Sequence, residues 1–180
     1  MVVSSKSGNT RMVSGAIKRV LVADGAKFIH AAAICDDAED GAIASEAAQA
    51  CAADLVLVGF WCDKGSCAPS VQKFLAKLDG KRVFLFGTCG FGSSEDYFKQ
   101  IIERVSSYLP ESAKLVGSAM CQGKMGPAIK QRYEAMLSDN PDDQRAKMLL
   151  ENWTIAKDHP TKEDLAQIAD AAEKAAEGLE

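Results

Sequence analysis

The sequence predicts an α/β fold, a doubly wound five-stranded parallel sheet in the order 2-1-3-4-5 with a C-terminal helical extension. Three observations lead there. Segments of strand character alternate with helix-periodic segments from Val2 to about Met120. The two strongest apolar runs, Asp54 to Phe60 and Lys81 to Gly87, are continuous, the pattern of parallel strands covered on both faces. Beyond Pro127 the pattern is helical with no further strand. Strict alternation implies one parallel sheet with right-handed crossovers, and five strands joined in this way match the doubly wound order.

In chain order, Val2 and Val3 form the first strand. Met12, Val13, Ala16, Ile17 and Val20 fall at helical spacing and predict a helix to about Val22, ended by Asp24-Gly25. Lys27 to Cys35, including His30, reads as a short second strand; Asp36 to Gly41 is an acidic turn and Ala42 to Ala53 an alanine-rich helix. The strand Asp54–Phe60 is followed by the loop Trp61–Cys67 and a helix through Val71, Phe74, Leu75 and Leu78, stopped by Asp79-Gly80. The strand Lys81–Gly87 leads through the loop Thr88–Ser94 to a helix carrying Phe98, Ile101, Ile102, Val105 and Leu109, ended by Pro110. Ala113–Met120 is the last strand and Cys121–Gly126 its exit loop. Helices are expected around 128–137, around 142–153 and after His159-Pro160, where Thr161 and Asp164 stand at capping-box spacing with Asp in place of Glu or Gln. The expectation is one domain over residues 1–180, an α/β core in 1–125 with the extension 126–180 packed on it.

Composition narrows the classes of function. The net charge of −4 and the lack of a basic stripe argue against nucleic acid as a partner. No apolar run approaches the roughly 18 residues of a membrane span, and the start does not read as a signal peptide. The six cysteines lack the dense spacing of a secreted disulfide framework, so a reducing, cytoplasmic setting is expected.

Ligands of open parallel sheets bind outside the carboxyl ends of the strands, which directs attention to five loops. Three have ligand character. Ser5-Lys6-Ser7-Gly8-Asn9-Thr10 offers hydroxyls at three positions just before a helix, where unpaired N–H groups and the helix dipole stabilise an anion. A plain N-cap needs fewer polar residues than this, so phosphate is the preferred ligand, with Gly8 permitting close backbone approach. The spacing fits neither the ATP loop G-x-x-x-x-G-K-[ST] nor the dinucleotide fingerprint G-x-G-x-x-G.

S-x-S-G-N-T straight after the first strand resembles the [ST]-x-[ST]-G-x-T phosphate loop of flavodoxins. Gly59-Phe-Trp-Cys-Asp-Lys-Gly65 and Gly87-Thr-Cys-Gly-Phe-Gly92 agree in position with that family's flavin-contacting loops, and the likeness spans about residues 1–125. It implies non-covalently bound flavin mononucleotide (FMN), cycling through one- and two-electron reduction. G-F-W-x-D-K-G, the C-Q-G-K after the last strand and the late H-P-x-x-E-D-L are similar to short flavodoxin-like proteins of anaerobic bacteria. Some of these accompany old-yellow-enzyme-like bilirubin reductases, which implies a redox partner such as a flavin-dependent reductase. Under the resemblance, Trp61 and Phe91 flank the ring, although each also suits ordinary packing at the rim of the core. Asp63-Lys64-Gly65, next to Cys62, is a turn whose peptide flips to meet reduced flavin N5, with Gly65 carrying the unusual dihedral. The amides after Thr88 and Gly90, with Cys89 between them, meet the pyrimidine edge.

Cys35, Cys62, Cys89 and Cys121 all fall at or just after strand ends. A thiol cluster at the cofactor mouth and a Cys62–Cys67 disulfide are alternatives to the preferred reading as small buried residues. The absence of C-x-x-C and of a nearby histidine argues against zinc, and both histidines read as structural. The first strand is shorter than is usual in the family; a start further upstream would lengthen it. No catalytic residue is assigned. The functional reading is an FMN electron carrier serving a partner reductase. The alternatives are a nicotinamide-dependent flavin or quinone reductase and a cofactor-free module docking on a reductase.

Overall fold

The computed structural model describes residues 1–92 and 94–177. Five parallel strands, β1 (Val2–Val3), β2 (Ala32–Ala33), β3 (Leu55–Trp61), β4 (Arg82–Cys89) and β5 (Lys114–Gln122), form one sheet in the order β2-β1-β3-β4-β5. Between them lie α1 (Asn9–Ala23), α2 (Asp40–Ala50), α3 (Pro69–Leu75) and α4 (Glu95–Ser106). After them come α5 (Pro127–Asp139), α6 (Gln144–Ala156) and α7 (Lys162–Ala176). The predicted architecture is the observed one.

Alternation along the central strands divides the core in two. Val56, Val58 and Phe60 of β3 and Val83 and Leu85 of β4 point to one face, where Ile43, Ala47, Val71, Phe74, Ile101 and Val105 of α2, α3 and α4 cover them. Leu57, Phe84 and Phe86 point to the other, packed against Val13, Ile17 and Leu21 of α1 and Ile168, Ala172 and Ala175 of α7. Most of these side chains are fully buried, and each Val, Leu, Ile or Phe among them contributes roughly 1.5–3 kcal/mol. Gly59 and Gly87 make room for the aromatics: a Cβ on Gly59 would lie 2.4 Å from Phe86, and one on Gly87 2.7 Å from Phe60.

The extent of β2 and the ends of β3, at Trp61, of β4 and of β5 differ from the sequence expectation, for one reason: a strand is as long as the ladder its neighbour offers. Lys27–Cys35 was expected to be extended throughout, but β1 offers only Val2 and Val3, which pair with Ala32 and Ala33. His30 therefore precedes the strand, and its carbonyl accepts the N-terminal ammonium at 2.9 Å. At the other end the ladder runs further than expected. Trp61 pairs with Thr88, Thr88 with Cys121 and Cys89 with Gln122. Thr88, Cys89, Cys121 and Gln122 thus belong to strand ends rather than free loops.

The extension belongs to the same core. The capping box forms: Thr161 Oγ1 accepts the Asp164 N–H at 3.1 Å, and Asp164 Oδ2 accepts the Thr161 N–H at 2.6 Å. α7 then lies beside α1 and along the edge strand β5, where its alanines cover a flank that would otherwise expose unpaired strand surface. No helix among the described residues is long and apolar enough to cross a membrane.

Candidate functional site

The loop between β1 and α1 is held open by its own side chains. Gly8 is the N-cap of α1 at φ 88°, and a Cβ there would meet nothing within 4 Å. Ser5 Oγ accepts the Arg11 N–H at 3.2 Å, and Ser7 Oγ accepts Asn9 Nδ2 at 2.9 Å. Asn9 Nδ2 also donates to the Lys124 carbonyl at 2.9 Å, which ties the loop to the exit of β5. Thr10, fully buried, shares a 2.9 Å hydroxyl–hydroxyl hydrogen bond with Thr88. Meanwhile the backbone N–H groups of Ser5, Lys6, Ser7, Gly8, Asn9 and Thr10 donate to no acceptor among the described residues. Asn9 Oδ1 is buried and also lacks a partner among them.

Three of the other helices begin differently, whereas α3 and α5, which start with Pro69 and Pro127, also lack a side-chain cap and an acidic first turn. Ser94, Asp143 and Thr161 cap α4, α6 and α7 through their side chains, and the first turns of α4 and α7 carry Glu95, Asp96, Glu163 and Asp164. The N-terminus of α1 has neither a side-chain cap hydrogen bond nor an acidic residue in its first turn. The amides of Ser5–Gly8 and of the first turn of α1 thus find no acceptor among the described residues. A cleft of about 470 Å³ adjoins this loop, lined among others by Ser4, Ser5, Lys6, Arg11, Lys18 and Asp36.

The next rim loop follows β3. Trp61 Nε1 donates to Asp36 Oδ1 at 3.0 Å, Ser4 Oγ donates to the same oxygen at 3.2 Å, and the Lys6 ammonium lies 4.8 Å from the indole centroid. The indole is thereby fixed at the carboxyl rim beside the phosphate-loop candidate. Asp63 and Ser66 exchange two backbone hydrogen bonds of 2.8 and 2.9 Å, with Lys64 at φ 48° and Gly65 at φ 79° between them. This is the positive-φ pair of a type I′ turn. Arg104 Nη1 donates to the Gly65 carbonyl at 2.6 Å and anchors the turn to α4.

The loop after β4 is closed by the extension. Asn152 of α6 donates through Nδ2 to the Gly90 carbonyl at 2.9 Å, and its Oδ1 accepts the Gly92 N–H at 3.0 Å and Gln122 Nε2 at 3.2 Å. One side-chain amide thus addresses residues 90 and 92 as a neighbouring strand would. Gly90 packs on Met125 so closely that a Cβ would lie 2.6 Å from Met125 Cγ. Phe91, 38 % exposed, meets Tyr97 edge-to-face at 6.2 Å. Ser93, part of the predicted loop, lies outside the described residues.

All six cysteines are free thiols. The neighbouring thiols of Cys62 and Cys89 are coupled, which moves the first ionisation of the pair below the ordinary thiol value and the second above it. Burial pushes Cys67 up to about 11 and Cys121 up to about 12. His30 binds Glu46 at 2.7 Å and His159 binds Asp164 at 2.6 Å. Among the described residues no three His, Cys, Asp or Glu side chains gather to hold a metal ion.

The chain, with its sheet in the order 2-1-3-4-5, is matched by a family model for the flavodoxin domain over residues 1–173. The chain belongs to the flavodoxin domain family. It is 37% identical over 172 residues to the flavodoxin-like domain-containing protein BilS of Clostridium symbiosum, covering 92% of this chain and 89% of that protein. It is 33% identical over 112 residues to BilS of Clostridioides difficile, covering 62% and 64% of the two chains. In fold it is similar to a short-chain flavodoxin associated with a PDU bacterial microcompartment, at TM-score 0.55 and 13% identity, covering 97% of this chain and 93% of the other. It is also similar to a flavodoxin, WrbA-like protein from Agrobacterium tumefaciens, at TM-score 0.50 and 15% identity, with 97% and 96% covered.

In this flavodoxin domain, the first loop, Trp61 and the 63–65 turn share one rim with the strand end Thr88–Cys89 and with Gly90 and Phe91, the positions singled out in the sequence. The residues that hold this rim in place were missed: Asp36 under Trp61, Arg104 under Gly65, Gln122, and above all Asn152. The one signal available for Asn152 is a poor helix former inside an otherwise helical stretch. Its partner loop lies about 60 residues away in the chain.

Proposed function

We propose that the protein binds FMN without covalent attachment and carries electrons between it and a partner reductase. The observation that carries this reading is the set of unpaired amides from Ser5 to Thr10 around the open Gly8 position. The residues present fit the group. Ser5–Thr10 would hold its phosphate through backbone donors, and Asn9 Oδ1, buried and unsatisfied, would accept a ribityl hydroxyl. Trp61, Cys62, Asp63, Lys64 and Gly65 would flank the ring on one side and Thr88, Cys89, Gly90 and Phe91 on the other. When bound, FMN supplies one- and two-electron redox chemistry.

The chain's own residues orient and bias that chemistry. The type I′ turn at Lys64-Gly65 presents its peptide at the rim, and Arg104 restrains it. Asp36 and Asp63 place carboxylates near the ring loops, which disfavours added negative charge there. Asn152 presets the loop 90–92 before any ligand arrives.

The sequence resemblance and the BilS relatives favour a flavin-dependent tetrapyrrole reductase as partner. The test is to load the protein with FMN, reduce it photochemically, and mix it anaerobically with a bilirubin reductase and bilirubin. Loss of pigment absorbance in proportion to the reduced protein added is expected. Reoxidation by NAD(P)⁺, or rapid bleaching of the oxidised protein by NAD(P)H, with no electron delivery to the reductase, would replace the carrier by a nicotinamide-dependent enzyme.

A further inference from the structure

We infer that Cys62 and Cys89 form a two-electron dithiol–disulfide couple at the carboxyl ends of β3 and β4, with a low-molecular-weight disulfide as its exchange substrate. The placement follows from register. Trp61 pairs with Thr88, so the next residues of two parallel neighbours, Cys62 and Cys89, lie side by side. The Cys62 N–H donates to the Thr88 carbonyl at 2.8 Å and holds the two backbones at ladder spacing. That spacing, about 4.8 Å, falls within the Cα separation of about 4.4–6.8 Å that a disulfide spans. Both side chains turn to the α3–α4 face of the sheet, where Cys89 is in the core and Cys62 packs against it. There the two thiols lie close enough for their ionisations to be coupled.

The surroundings divide the roles. Cys89 is 4 % exposed, and its thiol donates to the Phe91 carbonyl at 3.1 Å. Cys62 is half-buried, and the Gly65 amide faces its sulfur. Its greater exposure makes Cys62 the sulfur that an external disulfide reaches, and the one proton the pair retains is shared between the two sulfurs. Three other groups lie near the pair: the Tyr97 hydroxyl, beside Cys89; Asp63, which opposes charge on Cys62; and Arg104, whose guanidinium is held at the Gly65 carbonyl. Ionisation of such a pair belongs to both sulfurs together.

Exchange then runs in two balanced steps. The Cys62 thiolate attacks one sulfur of the external disulfide, forming a mixed disulfide and expelling one thiolate, which takes a proton from water. Cys89 loses its proton and attacks the Cys62 sulfur, closing the Cys62–Cys89 bond and expelling the second thiolate, which is protonated in turn. The net change oxidises two protein thiols and reduces one external disulfide to two thiols. The closed bridge fastens the 62–66 turn to β4. None of this depends on FMN, so the couple and the flavin reading succeed or fail separately.

The test incubates the reduced full chain with oxidised glutathione, traps the remaining thiols with iodoacetamide, and digests with a protease cutting before Asp. The fragments 54–62 and 79–95 carry one cysteine each, Cys62 and Cys89. The expected product is these two fragments linked, lighter by two hydrogens than their sum. The Cys89→Ala protein should accumulate glutathione on Cys62, and Cys62→Ala should leave Cys89 unmodified. In the intact pair, Cys62 alkylation should reach half its maximal rate at lower pH than in Cys89→Ala, because the inner thiol stabilises the outer thiolate. Full alkylation of both fragments after glutathione treatment, or a Cys62–Cys67 bridge instead, would overturn the inference. So would a Cys89→Ala protein that takes up no glutathione while remaining folded by circular dichroism.

Discussion

Two stretches of the same rim, Ser5–Thr10 and Thr88–Gly92, are built on opposite principles. In the first, the side chains satisfy one another and hold the loop open while six amides stay without an acceptor among the described residues. In the second, the backbone is already answered from within the protein: Asn152 takes Gly90 and Gly92, the Phe91 carbonyl takes Cys89, and Met125 closes over Gly90. Buried or converging backbone donors are rarely left unmade. The difference separates a place whose amides are free to meet a ligand or water from a place whose shape the fold supplies in advance. Preorganisation of the second loop lowers the ordering cost of binding, while the first provides the attraction.

The largest expected effect comes from breaking the open stretch. Gly8→Val puts a β-branched residue at φ 88° and a side chain over the amides. FMN affinity should fall at least ~100-fold, about 2.7 kcal/mol, in a fluorescence-quenching titration. Next is the closed stretch. Asn152→Ala removes three hydrogen bonds and should lower unfolding free energy by roughly 2–3 kcal/mol in urea. It should also speed hydrogen exchange at the Gly92 amide more than at the amides of α1.

The link between the two stretches is the buried Thr10–Thr88 hydroxyl pair. Either single Thr→Val change leaves a buried hydroxyl unpaired and should cost about 1–3 kcal/mol, whereas the double variant should cost less than the sum. The smallest effect is at the indole. Lys6→Met removes a cation–π contact at the rim, which is worth about 0.5–1 kcal/mol. It should shift the Trp61 emission and change stability by less than about 1 kcal/mol.

The open stretch was legible in the sequence because everything that makes it is local: a strand, a glycine, hydroxyls at fixed spacing and a helix start within ten residues. The closed stretch was not. Its defining residue, Asn152, sits in a helix of the extension, and nothing near Gly90 in the chain announces a partner there. Strand ends failed for a related reason, since the length of β2 is set by β1 and that of β5 by β4, not by their own composition. The Cys62–Cys89 pairing was half legible: the strand order allowed a thiol cluster as well as a Cys62–Cys67 bridge, and the register of β3 and β4 decides which thiols lie side by side.

The most direct measurement of whether the β1–α1 loop grips a phosphate is a parallel titration of flavin-free protein with FMN and with riboflavin, which share the ring and differ in the phosphate. Charge-assisted hydrogen bonds to several amides predict that FMN binds at least ~100-fold more tightly and that inorganic phosphate competes with it. Equal affinity for the two flavins, or no competition by phosphate, would contradict it.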